Sequence, residues 1–338
     1  KNCSTTSRMH GGVKAMKFLR NFFHSKGAIF AVSTLALILA IIVSLCVGVV
    51  MYTPVQLLEL PDILRYIRFP RVMAAVFAGA GLAGAGVIIQ TLLGNSLAGP
   101  NIIGVNSGAG FMTLVAALIF PLIPQMQPLA AFLGALFSVM LIYLLSRKAG
   151  TSKMTILLSG VVLNSLLNAA SEALCTFFPD VHMSYAAFRV GGLASVQTSV
   201  LYPAAILITV LFIIVQLRAN TLELLSLGDD TAFTLGVSVK KYRLLFLVCA
   251  AGMAGAAVSF AGLIGFLGLI VPHGARLVVG DEIKKLFPLS VLWGSLLLLV
   301  CDTVARTAFA PFELSVGIVI SIIGAPIFIR MLLKRKVG

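Results

Sequence analysis

The chain has 338 residues, of which 59% are hydrophobic and only 11% charged, and its mean hydropathy is +1.07. Soluble domains carry about 25% charged residues, so these figures exclude a soluble fold and specify an all-α, polytopic membrane protein. The formal charge of +14 is not a nucleic-acid footprint, because its clusters fall between apolar runs where the positive-inside rule wants them.

Residues 1–15 carry no periodic pattern, and 1–27 read as an N-terminal cytoplasmic extension ahead of a single membrane domain at 28–335. Runs of about 20 apolar residues cross a bilayer, and ten candidates follow in order: about 28–52, 72–93, 102–121, 127–146, 154–178, 199–217, 244–261, 263–279, 287–304 and 315–333. Gly and Pro interrupt the third, seventh and eighth, whose boundaries are the weakest. The first run is too long for a secretory leader. Lys14, Lys17, Arg20 and Lys26 precede span one; Arg147, Lys148 and Lys153 join spans four and five; Lys240, Lys241 and Arg243 join six and seven; Arg276, Lys284 and Lys285 follow the eighth; Lys334, Arg335 and Lys336 come last. That alternation places both termini in the cytoplasm.

Arg65, Arg68 and Arg71, between spans one and two, break the charge rule by lying on the outer face, with Arg306 and Glu313 near the same level. Arginine makes bidentate pairs with carboxylates, so these residues suit an acidic partner; snorkelling to membrane-lipid phosphates is the alternative. Asp302 stands four residues before Arg306, on the same helix face, and reads as its ion-pair partner. Within span two, Ala80–Val87 recurs as Ala251–Val258 in span seven, at an offset of 171 residues (252 minus 81), with six of eight positions identical. Five spans separate the copies, so the halves have inverted topology, a common plan in transporters.

Span five carries Asn164, Asn168 and Glu172. With Gln90 of span two, the two asparagines are candidates for lining a pathway or for hydrogen bonds between helices. Glu172 faces water or a backbone partner. The most distinctive stretch is 218–243, a polar island. Asn220 with Glu223 reads as a capping box, Gly228 as a helix end, and Asp229 or Asp230 as the cap of a second short helix that stops at Gly236. Helices this short need something to dock against. His273, after Pro272, reads as structural, at a helix break.

Catalytic signatures are missing from the 338 residues: there is no G-x-x-x-x-G-K-[ST] loop and no H-E-x-x-H. Cys3, Cys46, Cys175, Cys249 and Cys301 show no C-x-x-C spacing, so no metal cluster, disulfide framework or cofactor is expected, and the four within spans read as small buried hydrophobes.

Four motifs in order resemble the FecCD-type permeases: Arg68-Phe69-Pro70-Arg71 with residues 78–110, the segment 225–237, the segment 262–280, and 301–329. The resemblance covers about 28–335. It implies a type II ABC importer permease of about ten helices in a bacterial plasma membrane, importing an iron-siderophore, with haem or cobalamin as alternatives. It implies ABC ATPase subunits bound at a coupling segment, an extracytoplasmic binding protein or lipoprotein, and a second permease subunit, identical or paralogous. On that reading Arg68, Arg71 and Arg306 dock the binding protein. Leu225, Leu227, Gly228, Asp229, Asp230, Ala232, Leu235 and Gly236 couple to the ATPase. The family's Asn-Pro-Leu-Ala stands here as Asn95-Ser96-Leu97-Ala98, which loosens the turn after span two. An ion-coupled secondary carrier is the more distant alternative.

Overall fold

A computed structural model describes residues 26–48, 62–148, 153–308 and 312–335. Nearly all of the expected 1–27 extension, with Cys3, lies outside them, as does Lys336. The described residues form thirteen α-helices and no strand: α1 (Lys26–Cys46), α2 (Phe69–Leu93, entered through a π-turn at Leu64–Arg68), α3 (Val105–Ile119), α4 (Met126–Lys148), α5 (Lys153–Phe177), α6 (Pro179–Val190), α7 (Thr198–Leu217), α8 (Ala219–Ser226), α9 (Asp229–Thr234), α10 (Val239–Ala261), α11 (Leu267–Val279), α12 (Ile283–Thr307) and α13 (Val316–Arg335). Seven are long and apolar enough to cross a membrane, and α3, α11 and most of α13 are shorter apolar helices. Together they occupy the ten expected runs. The third and eighth are indeed cut short, whereas the seventh is a full helix of 23 residues.

The two copies of the repeat are α2 and α10, whose spans are 83% and 78% buried, the highest values in the bundle. Between membrane helices, association rests on close packing rather than on expulsion of water, so small residues mark the contact. A Cβ on Gly81 would lie 2.7 Å from the Met253 carbonyl oxygen and 3.3 Å from Ala257 Cβ, while one on Gly84 would meet Met253 Cε at 2.6 Å. Ascending positions on α2 therefore meet descending ones on α10, and the copies run antiparallel. Each is followed by an irregular linker and a short helix: residues 94–104 then α3, and 262–266 then α11. Tighter still are α2 against α12, where a Cβ on Gly79 would lie 2.3 Å from Gly294 O, and α2 against α11, where one on Gly86 would lie 1.8 Å from Gly268 O.

The turn after α2 is not loose despite Ser96. The Asn95 side chain accepts the Leu97 N–H (3.0 Å) and its carbonyl accepts the Ala98 N–H (3.0 Å), an Asx-turn that supplies the order a proline would give. Pro272 does not break α11, which runs through it. One helix was not anticipated: α6 lies in the loop after span five. It opens on Pro179 with Asp180 in its first turn and stops at Gly191, φ 73°, the ordinary start and stop signals of a short helix.

Candidate functional site

The candidate side chains gather at the two ends of the bundle and in one cleft. At one end α1 terminates, α2 begins and α12 terminates. Arg68 donates to the carbonyls of Leu45 (2.8 Å) and Cys46 (3.2 Å), and Arg306 donates to the Ser44 carbonyl and to its hydroxyl (2.8 Å). The last carbonyls of a helix have no partner within it and carry the negative end of its dipole, so the two guanidinium groups cap α1. Arg71 Nε contacts both carboxylate oxygens of Asp302 (3.1 Å each), and its Nη1 reaches Glu313 (2.8 Å). The expected pairing of Asp302 with Arg306 gives way to one with Arg71, because α2 brings that guanidinium between Asp302 and Glu313 while Arg306 is spent on α1. Arg68, Arg71 and Arg306 are all buried. Arg65 is the exposed arginine here, with the exposed Tyr66 and Ile67 beside it.

The opposite end carries the island. The capping box is not made: α8 begins at Ala219, Arg218 occupies the cap without a side-chain bond, and Glu223 instead accepts the backbone N–H of Ile283 (3.3 Å). Its carboxylate thus caps α12 rather than α8, and Gln216 donates to the Lys284 carbonyl beside it (3.1 Å). Gly228, at φ 114°, ends α8 and caps α9; neither Asp229 nor Asp230 makes a cap bond, and Asp229 pairs with the buried Arg243 of α10. The expected coupling residues divide into two sets. Leu225 and Ala232, with Leu222, are buried and anchor the island, whereas Leu227 and Leu235 are exposed. Phe233, which sequence reading passed over, is 73% exposed and stands between them. Its signal was available: a large aromatic in a short polar helix has no core to enter.

Of the candidate lining residues, Gln90 is buried and links helices, donating to Leu269 O (3.2 Å) and accepting from Arg276 (2.7 Å). Asn164 donates to the carbonyls of Asn101 (2.9 Å) and Ile102 (3.3 Å) and accepts from Ser107, fixing the irregular linker before α3. Asn168 is exposed and borders a cleft of about 400 Å³ with Asn106, Ser171, Glu172, Tyr185 and Arg189. Glu172 pairs with Arg189 of α6 across 2.9 Å, both side chains being about 60% exposed. Burial pushes the Tyr185 phenol above its ordinary range, so it stays a neutral hydroxyl. The cleft is polar and, with this pair closed, carries no net charge.

Exposed apolar side chains at one end and a charged cluster at the other are joined by α12, within a bundle whose helices are long and apolar enough to cross a membrane. The profile of the FecCD transport family matches residues 36–334, and the chain belongs to that family, the permease subunits of ABC transporters. It is 34% identical over 318 residues to the Fe(3+)-citrate import system permease protein YfmE of Bacillus subtilis (strain 168), covering 91% of this chain and 96% of the relative. It is 38% identical over 276 residues to the hemin transport system permease protein HmuU of Yersinia pestis, covering 80% and 83%. A solved metal-chelate type ABC transporter in an inward-facing conformation superposes with a TM-score of 0.82 at 28% identity, over 92% of this chain and all of the other.

Proposed function

We propose that this chain carries an iron-siderophore complex inward across a bacterial plasma membrane, with both termini cytoplasmic, driven by separate ABC ATPase subunits. The observation that carries this reading is the island: Leu227, Phe233 and Leu235 project from a platform whose underside is anchored by Leu222, Leu225, Ala232 and the Asp229–Arg243 pair. Apolar side chains held outward on rigid short helices suit a protein partner. Alpha5, only 22% buried across its span, has surface to spare for a second permease subunit, identical or paralogous, and its Asn168 and Glu172 would line the shared path. At the other end three buried arginines against Asp302 and Glu313 leave a positive balance, which draws an acidic binding protein; exposed Arg65 makes the first contact.

Iron chelates remain the default cargo because relatives named for ferric citrate and for hemin match comparably, and a polar cleft without net charge favours oxygen-rich complexes over a flat apolar ring. The decisive experiment reconstitutes the chain with its ATPase and binding protein in proteoliposomes. Uptake of a ferric siderophore should require ATP and both partners, with haem and cobalamin as competitors. Uptake by the chain alone under an ion gradient would make it a secondary carrier.

A further inference from the structure

Helices α4 and α10 pack against each other, with buried Val139 and Leu247 between them. A Cβ on Gly255 would lie 2.9 Å from Ala135 Cβ and 3.4 Å from the Phe132 ring. From there toward the end that bears the island, the two helices leave an open groove of about 300 Å³, walled by Phe137, Met140 and Tyr143 of α4 and Leu244, Val248 and Ala251 of α10. Its lining is apolar apart from the Tyr143 hydroxyl. Phe137, Met140 and Val248 are exposed, so the groove faces the surrounding bilayer.

Cations stand at its mouth. Arg147 lies one turn beyond Tyr143 on the same face of α4, and Lys240 lies one turn before Leu244 on α10, with Lys241 two turns before Val248; residues four or seven apart share a helix face. All three side chains are exposed. The other end of the same helices supplies the contrast. A second groove, of about 270 Å³, is lined there by Leu129, Phe132, Pro203, Leu207 and Ala256, and neither 120–135 nor 195–209 contains a charged residue.

We propose that the groove between α4 and α10 is a site for an anionic phospholipid, one acyl chain lying along Phe137, Met140 and Val248 and the phosphate held by Arg147, Lys240 and Lys241. From Leu244 to Ala251 the wall rises roughly 10 Å, against roughly 15 Å of hydrocarbon in one leaflet, so it takes most of an acyl chain. Basic side chains just outside the hydrocarbon attract anionic headgroups, while the flanking apolar wall fixes where the lipid sits. Bound there, the lipid braces the first turns of α10, the helix that leads out of the island.

The test uses the purified full chain in mild detergent, supplied with equal amounts of phosphatidylglycerol and phosphatidylcholine of identical acyl chains, with retained lipid read by native mass spectrometry. The unaltered chain should retain phosphatidylglycerol in excess. The variant R147Q/K240Q/K241Q, altered only at exposed positions, should lose on the order of a hundredfold of that preference while holding phosphatidylcholine as before. V248W, which fills the groove, should lower retention of both lipids; M140W, from the other wall, serves if V248W does not fold. Equal retention by the unaltered chain, or an undiminished preference in the triple glutamine variant, would overturn the proposal. So would a V248W chain that turns from dimer to monomer with its lipid unchanged, which would assign the groove to a second copy.

Discussion

Arg71 stands between carboxylates of unequal standing: Asp302 is 1% exposed and Glu313 is 42% exposed. Removing the buried one leaves a buried guanidinium short of a counter-charge, so Asp302→Ala should destabilise the chain by ~3–5 kcal/mol. Glu313→Gln, at the wet side, should cost under ~1 kcal/mol. Thermal unfolding in detergent compares the two, and equal losses would mean that burial does not rank them. The arginines differ in the same way. Arg68→Glu places a carboxylate against the carbonyls of Leu45 and Cys46 and should lower the melting temperature, whereas Arg65→Glu should leave it unchanged and weaken association with an acidic binding protein, most at low salt. If Arg65→Glu binds as tightly as the unaltered chain at low and high salt, the docking surface lies elsewhere. That Arg68 and Arg71, between spans one and two, stand at the level of Arg306 and Glu313 was legible in the sequence; their partners were not, because which guanidinium caps α1 and which reaches Asp302 depends on how three distant helix ends meet.

At the scale of elements, the small-residue helices set the tolerance of the bundle. Pro272 has no N–H to offer the carbonyl of Gly268, and Gly86 packs against that same carbonyl. Gly86→Ala would force α2 and α11 apart, with a destabilisation of ~1–3 kcal/mol or more, while Gly236→Ala, with nothing within 4 Å, meets no clash and costs only the strain of φ 82°. A melting comparison of the two separates packing from backbone conformation; an equal or larger loss for the exposed glycine would contradict the packing argument. Hydropathy located all ten membrane runs because the bilayer demands length and apolarity in each. It did not locate α6, whose polar composition resembles a loop, nor the φ of 61° at Phe266, at the start of α11, a conformation that a bulky residue type avoids. The island's two short helices were also legible, from their glycines, but the role of Glu223 was misassigned. A capping-box pattern states only that a carboxylate stands near a helix start, and here the start it serves belongs to α12.

For the whole molecule that reassignment matters more than any single contact. Alpha12 is one continuous helix of 25 residues, roughly 37 Å long. Its first turn is held to the island by Glu223 and to the last turn of α7 by Gln216, and its last turns carry Asp302 and Arg306. Between them it is pressed against α2 at Gly79 and Gly294, too closely for independent sliding. A displacement of the island would therefore have a stiff route to the arginine end, and if partners bind at both ends, reciprocity requires each to bias the other. Glu223→Ala cuts the cap while leaving the outward Leu227, Phe233 and Leu235 in place, whereas Phe233→Asp removes the grip and leaves the cap. In the reconstituted transporter, Phe233→Asp should abolish copurification of the ATPase. Glu223→Ala should keep the ATPase bound but lower by several-fold the stimulation of its hydrolysis by the binding protein. The two defects must separate if α12 is the link. Full stimulation in Glu223→Ala would show that the ends communicate by another helix, and loss of ATPase binding in that variant would reduce Glu223 to a support of the island itself.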